Sequence, residues 1–318
     1  MPSPALETRE DERGHDPLAL LASLLHQGEF VVTAELNPPK SASAAVVKRR
    51  AEVLKGCVDG VNVTDSNRAI VAMASLPAAL LVRETGLEPI VQVTGRDRNR
   101  IAIQADLLGA AALGLPNFLF MSGDDPKSGN HPEAVNVQDL SGIDLVRTAA
   151  TLRDGRFLNG DEIRQPPRYF IGATASPATP GDAERSLEKI RAGAQFLQTQ
   201  PVFDIGGFSR WLIEIRRHEK AAAILAGVLV LRSVDQAEAM GKIPGIVIPA
   251  EVVTRLRGAV DVEAEGIAMA VETLGELRAL PGVNGAHLYA VEWPEAIPRV
   301  VERAGLLPRP KVKEVVTA

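Results

Sequence analysis

The chain has 318 residues, 46% of them apolar and 24% charged, and its 40 acidic against 35 basic residues give a net charge of -5. This balance argues against general nucleic-acid or polybasic membrane binding, with a local basic patch still open, and no apolar run is long enough to span a bilayer. The single cysteine, Cys57, builds neither a disulfide framework nor a cysteine-based zinc site.

Residues 1–15 are polar, hold two prolines and show no apolar period. They read as a mobile N-terminal tail, unlike a signal peptide, and a cytoplasmic location is expected. Residues 16–318 read as one domain. Asp16 as N-cap and Pro17 in the first turn open a short helix with a stripe of Leu18, Leu21, Leu24 and Leu25, which Gly28 ends. From Phe30 onward short apolar runs alternate with helical stretches. The runs are 30–36, 60–65, 89–94, 117–122, 169–174, 196–200, 224–231 and 285–291. Eight nearly continuous apolar runs with helices between them give a (β/α)8 TIM barrel, its parallel sheet covered on both faces. Among the helices, 99–113 starts near Asn99, Asp182 is placed to cap the helix after it, Ser233 to Gln236 fits a capping box, and 260–280 is long and amphipathic. The segment 123–139 is the longest break in the alternation, and a long loop after a barrel strand is a candidate functional loop.

On such a barrel, chemistry sits at the C-terminal ends of the strands. The first run ends at Glu35, followed at once by Asn37-Pro38-Pro39, which stiffens the exit. The second ends with Asn62, Thr64 and Asp65, the third offers Gln92 and then Arg96, Arg98 and Asn99, and the fourth leads into Gly123-Asp124-Asp125. The sixth carries Gln198 and Gln200, and the eighth His287 and Tyr289. Alternation puts Thr33 with Glu35, Phe120 with Ser122 and Asp124, and Gln198 with Gln200. If those faces look into the mouth, Glu35, Asp124 and Gln200 converge. Singly, each has an ordinary reading as a solvated strand end, a turn or a packed core histidine.

Other chemistries lack their signatures. There is no Walker-type phosphate loop, no Gly-x-Gly-x-x-Gly after a strand and no nucleophile elbow. The five histidines show no compact ligand spacing, so no metal is expected.

Glu35-Leu36-Asn37-Pro38-Pro39, Val63-Thr64, Gly123-Asp124 and Thr199-Gln200-Pro201-Val202-Phe203-Asp204 occur in that order. With Ala192-Gly193-Ala194 and His287-Leu288-Tyr289 they resemble the methylenetetrahydrofolate reductase family over roughly residues 28–307. The resemblance implies reduction of 5,10-methylenetetrahydrofolate to 5-methyltetrahydrofolate. A flavin, FAD or FMN, would lie across the mouth and relay hydride from NAD(P)H to the exocyclic carbon. Glu35 matches the general acid that assists ring opening, Asp124 the aspartate near flavin and folate, and Gln200 the glutamine on the pterin. Tyr289 joins the substrate side, while Thr64, Gln92, Arg96, Gly123, Asp124 and Lys189 fall toward the cofactor. The residue types suit the work. Ring opening at neutral pH needs a carboxyl of raised pKa, the iminium formed is cationic and favours a fixed carboxylate, and an amide pairs with both a donor and an acceptor on a pterin edge.

The segment after the fifth run, 172–180, is shorter than the family's and lacks its Tyr, Glu and His; Gln92 replaces a histidine and Glu188 an arginine. Flavin-free transfer from NADH therefore stays open beside FAD and FMN. Donors for a flavin's phosphates would be Arg96, Arg98, Asn99, Lys189 and the helix start after Pro180. Two other readings stay open: a pterin-binding methyl-transfer component, and a non-autonomous partner subunit of a folate or corrinoid one-carbon complex. A homo-oligomer is equally compatible.

Overall fold

The strand runs are mostly apolar because the sheet they form is buried on both faces. In the computed structural model, which describes residues 20–243 and 245–313, eight parallel strands close on themselves in chain order. They are β1 (Val31–Leu36), β2 (Gly60–Val63), β3 (Pro89–Thr94), β4 (Asn117–Met121), β5 (Phe170–Ala175), β6 (Phe196–Pro201), β7 (Ala223–Leu229) and β8 (Gly285–Tyr289). Closure pairs β1 with both β2 and β8, so Thr33 lies in register with Gly60 on one side and His287 on the other. The chain is a (β/α)8 TIM barrel. β2 stops short of the expected residue 65 because Thr64 and Asp65 turn their side chains to Asn37 and Thr94 instead of continuing the ladder.

The helices are α1 (Leu20–His26), α2 (Ala44–Leu54), α3 (Ser75–Arg83), α4 (Arg100–Ala112), α5 (Gly142–Arg153), α6 (Asp182–Arg191), α7 (Ile205–His218), α8 (Val234–Met240), α9 (Ala250–Gly258), α10 (Val262–Ala279) and α11 (Ala296–Arg303). Asn99 caps α4, accepting from the amides of Ile101 and Ala102 at 3.1 Å each. Asp182 does not cap α6. It is that helix's first residue, after Gly181, and its carboxylate accepts from Ser186 Oγ and the Trp211 indole. The box at α8 is half formed, since Gln236 N donates to Ser233 Oγ while Gln236 Oε1 accepts from Arg232 N instead of Ser233. The expected tail and the Asp16-Pro17 helix start lie outside the described residues.

Two apolar layers flank the sheet. Outward residues such as Val32, Val61, Phe118, Phe120 and Leu197 pack against the helices. Inward residues Val31, Ile90, Leu119, Phe170, Phe196 and Leu225 form a separate core, closed from below by Leu21 and Leu24 of α1. Glu88 fixes that plug by accepting from the first amides of α1, at Leu20 and Leu21. β4 thus turns Leu119 inward and Phe120 outward. The expected inward face of Phe120, Ser122 and Asp124 is wrong by one residue, and Asp124 gets its direction from the turn beyond the strand.

The described C-terminal segment passes below the barrel and is anchored there. Arg309, its side chain largely covered, donates to Asp59 at 3.1 Å and to the Phe30 carbonyl at 2.8 Å, and Asp59 also accepts from the Val32 amide at 2.7 Å. Removing one member of a buried, hydrogen-bonded pair leaves the other charge uncompensated. Arg309→Met is therefore expected to lower the unfolding free energy by about 3 kcal/mol in a denaturant titration.

Candidate active site at the barrel mouth

Glu35 ends the inward series of β1 above Val31 and Thr33. The turn after it is locked. Pro38 and Pro39 are buried, Arg50 donates to the Asn37 carbonyl, and the Met73 amide donates to the Pro39 carbonyl at 3.0 Å. Asn37 is the residue the sequence reading passed over. Its side chain lies by the Glu35 carboxyl and favours the charged form, and its oxygen accepts from Thr64 Oγ1 at 2.9 Å. Burial drives the Glu35 pKa from its ordinary 4.5 to about 7, with the Asn37 hydrogen bond opposing. At neutral pH a large share of this carboxyl therefore carries a proton.

Below Glu35 lies a buried polar layer. His287 Nδ1 meets Thr33 Oγ1 at 2.9 Å and Asn62 Nδ2 at 3.2 Å, and Asn62 Nδ2 also donates to Gln198 Oε1 at 2.9 Å. Burial holds the His287 pKa down at about 3, so the ring is neutral throughout the physiological range. Gln198 Nε2 donates to the Tyr289 hydroxyl at 3.4 Å, which donates to the Thr199 carbonyl at 3.0 Å. Tyr289 resists ionisation because it is buried, and the nearby Glu35 charge adds to that.

Gln200 stands at an irregularity of β6. The pairing with β7 jumps from Gln198–Leu225 to Pro201–Gly227, an extra residue on β6. The bulge breaks the shared face expected for Gln198 and Gln200: Gln198 is buried, whereas Gln200 is partly open and packs near Gly245. Beside it opens a small, shallow cleft lined by Pro177, Ala178, Pro201, Phe203, Phe208 and Val247 among others.

Asp124 occupies a different sector. Gly123 has φ +90, and a Cβ there would come within 3.1 Å of the Thr94 and Arg96 side chains, so only glycine makes this turn without strain. Asp124 Oδ2 accepts from the Arg68 amide at 2.8 Å, holding a turn in which Ser66, Arg68 and Ala69 all have positive φ.

The expected phosphate donors are bonded elsewhere. Arg96 is buried and paired with Asp97, with a further bond to the Ser66 carbonyl. Arg98 pairs with Asp65 and Asp106. Lys189 donates to the Thr174 carbonyl at 2.6 Å, and burial lowers its pKa. Asn99 is committed to its helix. Gln92 is buried on the inward face of β3. Glu35, Thr64 and Tyr289 thus come together, Gln200 adjoins them through Thr199, and Asp124 and Lys189 keep separate neighbours. Asn37 and Thr199 were missed because an asparagine before proline and a strand threonine signal backbone structure first; their place inside recurring motifs was the available clue.

The methylenetetrahydrofolate reductase family model matches residues 20–305. Methylenetetrahydrofolate reductase 1 of Schizosaccharomyces pombe is 26% identical over 213 residues, 64% of this chain and 34% of that protein. Methylenetetrahydrofolate reductase 2 of the same yeast is 22% identical over 244 residues, 72% of this chain and 38% of its own length. A probable methylenetetrahydrofolate reductase (NADPH) of Caenorhabditis elegans is 21% identical over 240 residues, 74% of this chain and 35% of its own. The matches thus take in only about a third of these relatives. Among solved structures, an uncharacterized Clostridium thermocellum protein that binds two copies of 5-methyl-5,6,7,8-tetrahydrofolic acid has the same fold, with TM-score 0.65 and 16% identity over 89% of this chain and 97% of that one. With the family model spanning nearly all the described barrel and the family's motifs standing at its mouth, this chain belongs to the methylenetetrahydrofolate reductase family.

Proposed function

We propose that the chain reduces 5,10-methylenetetrahydrofolate to 5-methyltetrahydrofolate, with Glu35 as general acid and a reduced pyridine nucleotide as hydride donor. The carrying observation is Glu35 itself: a carboxyl at the barrel mouth, oriented by Asn37 and kept substantially protonated at neutral pH by burial. Family membership and the folate bound by the Clostridium protein support the substrate class.

Glu35 gives its proton to N10 of the bridged ring, the bond from N10 to the methylene carbon breaks, and the carbon is left as an N5 iminium cation. A hydride carrying its electron pair leaves C4 of the dihydronicotinamide and bonds to that carbon, so methyltetrahydrofolate and oxidised nucleotide result. Gln200 pairs with the pterin edge, while Asp124, exposed and bonded to the Arg68 amide away from Glu35, is given no part in the step. The residues expected to hold a flavin's phosphates do not fit that task, because Arg96, Arg98, Asn99 and Lys189 are all bonded within the chain. Thr64 likewise gives its hydroxyl to Asn37. Hydride is accordingly taken from the nucleotide directly. Glu35 also favours reduction over the methyl-transfer and partner-subunit readings, neither of which uses an acid at this place.

Purified protein is expected to oxidise NADH or NADPH with methylenetetrahydrofolate, without added flavin and without a flavin absorbance spectrum. Turnover only after addition of FAD or FMN would overturn direct transfer. No turnover under any condition would overturn the reductase and leave the two non-reductive readings.

Glu35→Gln is expected to lower kcat at least roughly 100-fold, the scale of general acid catalysis, while folate binding measured by calorimetry persists. Wild-type kcat should fall as pH rises through about 7, the Glu35 pKa. Stability should follow the same group. Between the ordinary 4.5 and about 7 the folded chain binds more protons here than the unfolded chain, so its stability declines as pH rises through that window. Each pKa unit is about 1.4 kcal/mol, so Glu35→Gln should be more stable than wild type by roughly 3 kcal/mol at pH 8. Urea titrations across pH should show that advantage vanish below pH 4.5.

A further inference from the structure

The bulge in β6 is held open by side chains, and the way it is held gives Thr199 a role in the folate site and makes the role of Tyr289 there a specific one. In a regular parallel ladder the Gly227 amide would donate to a main-chain carbonyl of β6. Here it donates to Thr199 Oγ1 at 2.9 Å. The Thr199 carbonyl is instead taken by the Tyr289 hydroxyl at 3.0 Å, from β8 on the far side of β7. Thr199 Oγ1 in turn donates to the Gln200 carbonyl at 2.8 Å. One hydroxyl thus replaces a ladder acceptor and fixes the next peptide, while the carbonyl it displaces is captured by Tyr289. Gly227 leaves room for this, since a Cβ there would lie 2.6 Å from both the Thr199 and the Gln200 carbonyl oxygens.

The capture has a direction set from below. Asn62 donates to Gln198 Oε1, leaving Gln198 Nε2 to donate to the Tyr289 oxygen, so the only Tyr289 proton goes to Thr199. His287 sits beside Asn62 and is neutral, so the layer keeps this polarity while Glu35 titrates. A bulge beside a ligand site re-aims the side chain that it carries, and the side chain carried here is Gln200.

We propose that Thr199 and Tyr289 are positioning residues that aim Gln200 at the pterin ring, and so determine folate affinity without touching the transferred hydride. This rests on the reading of Gln200 as the pterin contact, and the test separates the two. Thr199→Val keeps the shape and removes the hydroxyl; Thr199→Ser restores it; Tyr289→Phe removes only the hydroxyl that captures the carbonyl. With each fold checked by thermal melting, KM for methylenetetrahydrofolate and the Kd for 5-methyltetrahydrofolate by calorimetry should rise roughly tenfold in Thr199→Val and Tyr289→Phe, the scale of one hydrogen bond. KM for the nucleotide should stay unchanged, kcat should move less than about twofold, and Thr199→Ser should bind as wild type. Gln200→Ala should weaken folate binding, and adding Thr199→Val to it should weaken binding no further.

If Gln200→Ala leaves folate binding intact, the pterin reading of Gln200 fails. If Gln200→Ala weakens binding but Thr199→Val and Tyr289→Phe do not, or if their effects simply add to that of Gln200→Ala, the positioning role fails. Loss of folding in Thr199→Val alone leaves Tyr289→Phe and Thr199→Ser to decide.

Discussion

The burial of one carboxyl at the open end of a closed sheet is the constraint around which the rest is arranged. A barrel interior has to be filled, and this one is filled in three tiers. Leu21 and Leu24 of α1 close the bottom over an apolar ring, a polar layer of Thr33, Asn62, Gln198 and His287 occupies the middle, and Glu35 faces the mouth. A carboxylate above such a floor is poorly solvated, so the proton stays on until about pH 7. The property needed of an acid follows from where β1 ends.

The polar middle tier costs stability compared with an apolar filling. Asn62 Oδ1 and His287 Nε2 are buried with no hydrogen-bond partner among the described residues, which natural cores rarely tolerate. What the tier provides is direction. Each amide and hydroxyl has its donor and acceptor ends assigned by its neighbour, from His287 through Asn62 and Gln198 to Tyr289. Because His287 stays neutral, none of those assignments changes across the pH range in which Glu35 titrates.

The barrel was legible in the sequence because its signal is redundant: strand runs recur with helices between them, and an error of one or two residues at an end does not change the count. Glu35 was legible because an acid at the end of an apolar run followed by Asn37-Pro38-Pro39 is locally odd. Alternation failed in two places. β4 puts Leu119 and not Phe120 inward, since the phase of a run that is apolar on both faces cannot be read from its composition. β6 loses its alternation at the Thr199–Gln200 bulge, whose causes, Gly227 and Tyr289, come from other strands. Asn37 acts through a side chain that a pattern of prolines conceals. Such features are set by tertiary contacts, and no local window contains them.

The charges around the mouth join the acid to the question of the hydride donor. The stretch Arg96-Asp97-Arg98-Asn99-Arg100 reads as a basic cluster, yet Arg96 is held by Asp97, Arg98 by Asp65 and Asp106, and Arg100 by Asp139. The same arrangement that withholds these guanidiniums from an anionic ligand also withholds them from Glu35, whose pKa is set by burial and Asn37. Pairing the cations within their own loops therefore leaves the Glu35 pKa to burial and Asn37, the condition on which the proposed direct transfer from a nucleotide rests.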